Sequence, residues 1–119
     1  MYQEESIPSN LAFPEDGTLR CKDLGPDEYD VPRSEVYVWV GGKSENYVGK
    51  SQACMDIDSA YYSSHEIPEE AIDACGGWYA GSGDYYYSIK EEGVLKVYYG
   101  WQDEGDPDGG MHWEVVFEQ

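Results

Sequence analysis

The fold is decided by three stretches near the carboxyl terminus: Tyr85–Lys90 (YYYSIK), Val94–Trp101 (VLKVYYGW) and Met111–Phe117 (MHWEVVF). They are rich in aromatic and β-branched residues, and the acidic, glycine-containing segments Glu91–Gly93 and Asp103–Gly110 separate them. This pattern predicts three consecutive antiparallel strands, a C-terminal meander. In the middle strand, one of the two faces carries a lysine, Lys96, whose charge disfavours burial. We therefore expect the opposite face, with Leu95 and Val97, to point inward.

The last of these stretches alternates clearly between two faces. Met111, Trp113, Val115 and Phe117 share one face of a regular strand, because successive side chains point to opposite sides. We therefore expect this face to be the buried one. Residues from this face and the most apolar residues of the other predicted elements form the predicted core. Its members are Val36, Val38, Ile72, Leu95, Val97, Trp113 and Val115.

A further strand is predicted upstream at Glu35–Val40, where valines alternate with aromatic residues and a glycine pair follows. Asn46–Lys50 could pair back on it across the turn at Gly41–Ser44, and Cys54–Ile57 is a weaker strand candidate. One short helix is predicted at Pro68–Cys75. Proline suits the first helical position, acidic residues suit the first turn, and two glycines follow the last residue.

We therefore expect one domain over residues 1–119, of the α+β class and mainly β. It would hold a curved antiparallel sheet within residues 35–119, the short helix 68–75 and an irregular acidic arm over residues 1–34. The arm is predicted because four of the six prolines lie in it and little periodicity is visible. Sequence pattern alone leaves open whether the sheet forms an open sheet, a sandwich or a barrel.

The charge of the chain is its strongest functional signal. Twenty-five acidic residues stand against seven lysines and arginines, for a net charge of −18 and a pI near 4.1. A field of this sign repels nucleic acid and anionic membranes, so neither is expected as a direct partner. The expected partner is a basic protein. Aromatic residues make up 15% of the chain, which is too many for a disordered acidic tail.

The acidic residues lie in long stretches without bases. No lysine or arginine lies between Lys50 and Lys90, and none follows Lys96. On the predicted helix, four carboxylates would stack at the spacing i, i+3, i+4 and i+7. The predicted partner-binding residues are Glu66, Glu69, Glu70, Asp73, Asp84, Asp103, Glu104, Asp106 and Asp108.

Spaced carboxylates can imitate the phosphate backbone that basic nucleic-acid-binding proteins grip. The leading hypothesis is therefore a non-enzymatic inhibitor or nucleic-acid mimic that blocks a basic nucleic-acid-binding or nuclease protein, of the phage counter-defence or toxin-immunity type. No cofactor, metal or catalytic residue is predicted. Gly81-Ser82-Gly83 lacks the spacing of a nucleophile elbow, Gly41–Ser44 lacks the first glycine of a phosphate-binding loop, and His65 and His112 form no zinc motif.

Two rival functions remain open. In a salt-loving cytoplasm, excess acid is a solvent adaptation of an ordinary domain. A carbohydrate-binding or small-ligand β module would instead use aromatic stacking platforms, for which the candidates are Trp39, Trp78, Tyr98 and Trp101.

Cysteine usage favours a reducing compartment. Cys21, Cys54 and Cys75 are odd in number and widely spaced, and the segment Met1–Pro8 has no basic residue and no apolar stretch after it. We therefore expect three free thiols and a cytoplasmic protein. If a signal peptide had been removed, one disulfide and one free thiol would be expected instead.

Overall fold

The computed structural model describes residues 15–41, 44–103, 105 and 111–119. Within these residues the chain forms strands joined by turns, with two 3-10 turns at Ser59–Tyr61 and Ser63–His65. The strands are β1 (Leu19–Asp23), β2 (Ser34–Val40), β3 (Ser44–Ser51), β4 (Met55–Asp56), β5 (Asp73–Tyr79), β6 (Ser82–Glu91), β7 (Val94–Asp103) and β8 (His112–Glu118).

These strands form two antiparallel sheets, in each of which neighbours in sequence are neighbours in space. One sheet has the order β1-β2-β3 and the other β4-β5-β6-β7-β8. The predicted C-terminal meander is confirmed as β6-β7-β8, and the predicted strand at 35–40 is confirmed as β2. The prediction of one curved sheet is replaced by two sheets, because the chain leaves the first sheet at Ser51 and starts the second at Met55.

The two sheets pack through a shared aliphatic core. Val36 and Val38 of the first sheet meet Val97 of the second, and all three are fully buried, as is Leu95. The inward direction predicted for β2 and β7 is thus confirmed. The buried members of this inter-sheet core are Leu19, Val36, Val38, Val48, Cys75, Tyr86 and Val97.

The other face of the five-stranded sheet carries a second, more aromatic cluster. Residues 57–72, here called the coil segment, pass over this face and contribute Tyr62 and Ile67 to it. Tyr87 stacks on Tyr98 with ring centroids 4.9 Å apart. The coil segment therefore covers one part of the outer face and leaves the rest of it accessible. The buried members of this outer cluster are Tyr62, Ile67, Ala74, Tyr87 and Ile89.

The predicted helix at Pro68–Cys75 is wrong. Residues 69–70 form a turn, and from Asp73 onward the chain is strand β5, paired with β6 from Asp73 opposite Ser88 to Tyr79 opposite Ser82. An eight-residue helix is too short to be stable by itself, so tertiary pairing decides the conformation. The glycine that the sequence suggested as a helix stop serves this pairing, since a Cβ on Gly76 would collide with the backbone of β6.

The prediction of a single buried face on β8 is also wrong. Val97 pairs with Phe117 but Tyr98 pairs with Val115, so Val116 is an extra residue on β8. A bulge of this kind changes the parity of the strand. Phe117 consequently packs on the inter-sheet core and Trp113 on the outer cluster, while Val115 is 45% exposed and is not a core residue.

The predicted arm is structured in its second half. β1 lies within residues 1–34 and pairs with β2 over Leu19–Asp23, while residues 1–14 lie outside the described residues. Cys21 of β1 forms a disulfide with Cys54, just before β4, which links the two sheets. The prediction of three free thiols is wrong, and Cys75 is the free, buried one. In the described residues no helix is long and apolar enough to cross a membrane.

Candidate functional site

The predicted partner-binding acids divide into three groups. Glu66, Glu69 and Glu70 are exposed on the coil segment, and Asp103 is exposed at the end of β7. The predicted helical stripe of Glu66, Glu69, Glu70 and Asp73 is wrong, because residues 66–73 contain no helix. Glu104, Asp106 and Asp108 lie outside the described residues.

The remaining two acids, Asp73 and Asp84, connect the sheets. The backbone N–H of Leu19 on β1 donates to Oδ2 of Asp73 on β5 over 2.8 Å. The hydroxyl of Ser51 on β3 donates to Oδ1 of Asp84 on β6, also over 2.8 Å. Burial raises the pKa of both carboxyl groups, and these hydrogen bonds oppose the shift. Their oxygens are engaged in the fold and are only partly open to a partner.

A groove lies on the outer face of the five-stranded sheet, at its β4 edge. It has a volume of about 340 Å³, and Met55, Tyr61 and Trp78 line it while remaining 64%, 62% and 45% exposed. Asp56 and Asp58 line the same groove and are exposed as well. We call these five residues the acidic groove. Large apolar side chains left in water next to one another mark an interaction site more often than single exposed ones do.

Local contacts hold the wall of this groove in place. The ring of His65 packs edge-on against Tyr85 of β6, with centroids 4.8 Å apart, and its Nδ1 lies 2.9 Å from the carbonyl oxygen of Tyr61. Asp58 caps the first 3-10 turn, since its Oδ1 accepts the N–H of Ala60 over 3.0 Å. These contacts hold the wall of the groove in one conformation against the five-stranded sheet.

The stretch of chain that forms the groove carries no lysine or arginine, and Arg20 of β1 lines a neighbouring cavity together with Met55 and Asp56. The ion pairs found among the described residues join Arg20 to Glu45 and Lys96 to Glu91 and Glu118, and all of these lie outside the coil segment. The sequence between Lys50 and Lys90 supplies no cation. The exposed carboxylates that line the groove are Asp56 and Asp58, and those exposed elsewhere on the coil segment are Glu66, Glu69 and Glu70.

A second, larger cavity lies between the ends of the two sheets. It has a volume of about 560 Å³ and combines aromatic, acidic and basic side chains. The Trp101 ring is 44% exposed and stacks on His112 with centroids 4.4 Å apart. The side chains relevant to binding that line this cavity are Arg33, Lys50, Asp84, Tyr99, Trp101 and Asp103.

Of the four aromatic platforms considered from the sequence, two lie at cavities. Trp78 lines the acidic groove and Trp101 the inter-sheet cavity, whereas Tyr98 is stacked on Tyr87 and Trp39 is half-buried on β2. Tyr61 was not predicted from the sequence. Its position within the acidic stretch that contains no base is the signal that could have identified it. Comparisons of the chain with protein-family models, with curated proteins and with solved structures gave no match.

Proposed function

We propose that this protein is a non-enzymatic inhibitor that binds a basic nucleic-acid-binding or nuclease protein through the acidic groove. One observation carries the proposal: Met55, Tyr61 and Trp78 stay exposed side by side, next to the exposed carboxylates of Asp56 and Asp58. Binding energy at protein interfaces concentrates in a few aromatic anchors, and charge complementarity selects the partner and speeds its approach. This groove offers both.

The sign of the charge points to the class of partner. A lysine- or arginine-rich surface gains from meeting the carboxylates at the groove, which have no cation within the same stretch of chain. Such surfaces evolve to hold phosphates, and the exposed rings of Tyr61 and Trp78 can occupy the places where bases stack. In this proposal Glu66, Glu69 and Glu70 extend the contact along the coil segment.

The acidic residues at the end of β7 and after it form a second proposed contact. Asp103 is exposed, and Glu104, Asp106 and Asp108 follow it in the sequence, so the proposal keeps them as a flanking patch. Asp73 and Asp84 have a smaller part in it, since both bridge the sheets. The disulfide favours a partner met in an oxidising compartment over the cytoplasmic action expected from the sequence, because disulfides persist where thiols are not kept reduced.

The test is direct binding to a panel of purified basic nucleases and nucleic-acid-binding proteins, with duplex DNA as competitor. We expect 1:1 binding to a member of the panel, displacement by DNA, and an association rate that falls steeply as salt rises, because screening shortens the reach of the field. Asp56→Asn with Asp58→Asn should slow association by about tenfold. Asparagine also caps turns, so the first 3-10 turn should persist.

The matched control is Glu28→Gln with Asp30→Asn, which removes two exposed charges elsewhere. If both pairs of substitutions slow association equally, the association rate depends on total charge and not on the groove. A chain that folds only in molar salt and binds no basic protein would contradict the proposal and favour the halophilic alternative.

A small-ligand function is the second candidate, favoured by the inter-sheet cavity. Its volume of about 560 Å³ lies within the range of small-molecule sites. Trp101 offers a stacking face, while Asp84, Arg33 and Lys50 offer hydrogen bonds of both polarities, as a polyhydroxylated ligand such as a sugar requires. Titration with mono- and oligosaccharides should change tryptophan fluorescence, and Trp101→Ala should abolish the change; a response that persists in Trp101→Ala would contradict this site.

A further inference from the structure

The fold brings all three cysteines of the chain to one point. Cys21 lies on β1, Cys54 precedes β4 and Cys75 lies on β5, yet the three Sγ atoms are all within 4.8 Å of one another. The disulfide between Cys21 and Cys54 uses two of these sulfurs and leaves the third beside them. A crosslink requires only two cysteines, so the fold holds one more sulfur at this point than the disulfide uses.

We propose that, once the disulfide is reduced, Cys21, Cys54 and Cys75 bind a thiophilic d10 cation, Zn²⁺ or Cu⁺, as a three-sulfur site between the sheets. Thiolates select such soft cations over Mg²⁺ or Ca²⁺. Zinc–sulfur bonds of about 2.3 Å place sulfurs bound to one ion about 3.8 Å apart, so the present spacing requires only small side-chain shifts.

The surroundings of the three sulfurs suit a cation. Cys75 is 1% exposed, and Asp73, two positions before it on β5, shares its face of the sheet. Asp56 stands opposite Cys75 in the register of β4 and β5. A metal ion offsets thiolate charge that this buried, acidic environment would otherwise disfavour.

The site also has an entrance. A cavity of about 380 Å³ is lined by Cys21, Cys54 and Asp56, together with Arg20 and Met55. A reductant and an ion can therefore reach the two disulfide sulfurs from solvent, while Cys75 forms the closed inner wall. Asp56 stands at this entrance, where a fourth ligand would approach.

The chemistry takes place in two steps. An external dithiol donates two electrons and two protons, the bond between Cys21 and Cys54 breaks to give two thiols, and the dithiol becomes a disulfide. The cation then displaces the thiol protons to solvent and forms three metal–sulfur bonds. The oxidised protein is therefore crosslinked by a disulfide, and the reduced protein is crosslinked at the same point by a bound metal ion.

The test uses the full chain, reduced with a water-soluble phosphine and titrated with Co²⁺, then with Zn²⁺ or Cu⁺. We expect one ion per chain, intense sulfur-to-Co²⁺ absorption that Zn²⁺ bleaches, and no such signal from the oxidised protein. Cys75→Ser, which keeps a small polar side chain, should weaken binding at least about tenfold, since even partners outside the ligand set contribute that much.

If the reduced chain stays folded, two results would overturn the proposal. One is a reduced chain that gives no sulfur-to-metal absorption, and the other is Cys75→Ser binding the ion as tightly as the unaltered chain, which would place the ion on Cys21 and Cys54 alone or on surface carboxylates. If reduction unfolds the chain, Zn²⁺ must restore its strand signal in circular dichroism, because a structural metal couples binding to folding. Failure to restore it would equally overturn the proposal. These readouts require no basic partner and change no groove residue, so they are independent of the proposed function, although Met55 and Asp56 line both cavities.

Discussion

The two faces of the five-stranded sheet differ in what covers them. The inter-sheet face packs Val97 against the valines of the three-stranded sheet, where Val97 is fully buried. The outer face is covered by the coil segment over Tyr87 and Ile89, while Trp78 beyond that cover and Tyr61 on the coil segment itself remain open to solvent. Sheet-on-sheet packing buries apolar surface continuously, whereas a coil covers only part of a face. We infer that the inter-sheet face provides stability and the outer face provides binding.

The largest expected effect concerns the crosslink on the stable side. The disulfide joins Cys21 to Cys54 across 33 positions of sequence. Closing a loop of this size restricts the unfolded chain, so Cys21→Ala with Cys54→Ala should lower the free energy of unfolding by about 4 kcal/mol. Urea denaturation measures it. A loss below about 1 kcal/mol would mean that the two sheets are held by their core alone.

A matched pair of valines tests the contrast between the faces. Val97→Ala removes two buried methyl groups between the sheets and should cost about 2–3 kcal/mol in the free energy of unfolding. Val115→Ala, on the neighbouring strand but exposed, should cost less than about 0.5 kcal/mol. Chemical denaturation of both variants gives the comparison. Equal losses would show that the β8 bulge does not turn Val115 away from the core.

A smaller effect concerns pH and the buried carboxyl of Asp84. Burial raises its pKa above the ordinary 3.8, so the folded chain holds this proton more firmly than the unfolded chain does. Stability should therefore rise as pH falls from neutral through the raised pKa toward 3.8. Asp84→Asn keeps an oxygen for the Ser51 hydroxyl and should flatten this rise, as seen in thermal melts across pH.

The exposed Glu28→Gln is the control for that experiment, because relief of the −18 net charge also stabilises the chain as pH falls. If Glu28→Gln flattens the pH dependence as much as Asp84→Asn does, general charge repulsion explains the slope and burial of Asp84 does not.

The parts of the fold that sequence predicted well are those where side-chain alternation and burial agree. Val36, Val38, Leu95 and Val97 follow period-two patterns on strands buried between sheets, and all were placed correctly. The segment Pro68–Cys75 carried helix-type end signals, but these are local, and pairing with β6 outweighs them. Local patterns of this kind do not reveal the pairing partner.

The errors on β8 and at the cysteines have related causes. One extra residue, Val116, reverses strand parity, and no residue type in that stretch marks the bulge. The convergence of Cys21, Cys54 and Cys75 depends on how two sheets pack, which spacing along the chain cannot express. For the proposed groove, the sequence singled out the base-free segment by its charge, whereas Met55 and Tyr61 became candidate anchors only from their exposure in the structure.

The most direct test of the binding role of the outer face is the affinity for the basic partner measured by calorimetry. Tyr61→Ala with Trp78→Ala should weaken binding about a hundredfold or more, since central aromatic anchors contribute about 2 kcal/mol or more each. Tyr61 is 62% and Trp78 45% exposed, so thermal stability should change much less than affinity. The control, Tyr29→Ala with Tyr47→Ala, removes two exposed rings elsewhere and should leave affinity within about twofold. Unchanged affinity in the groove variant, or an equal loss in the control, would contradict the assignment of binding to the outer face.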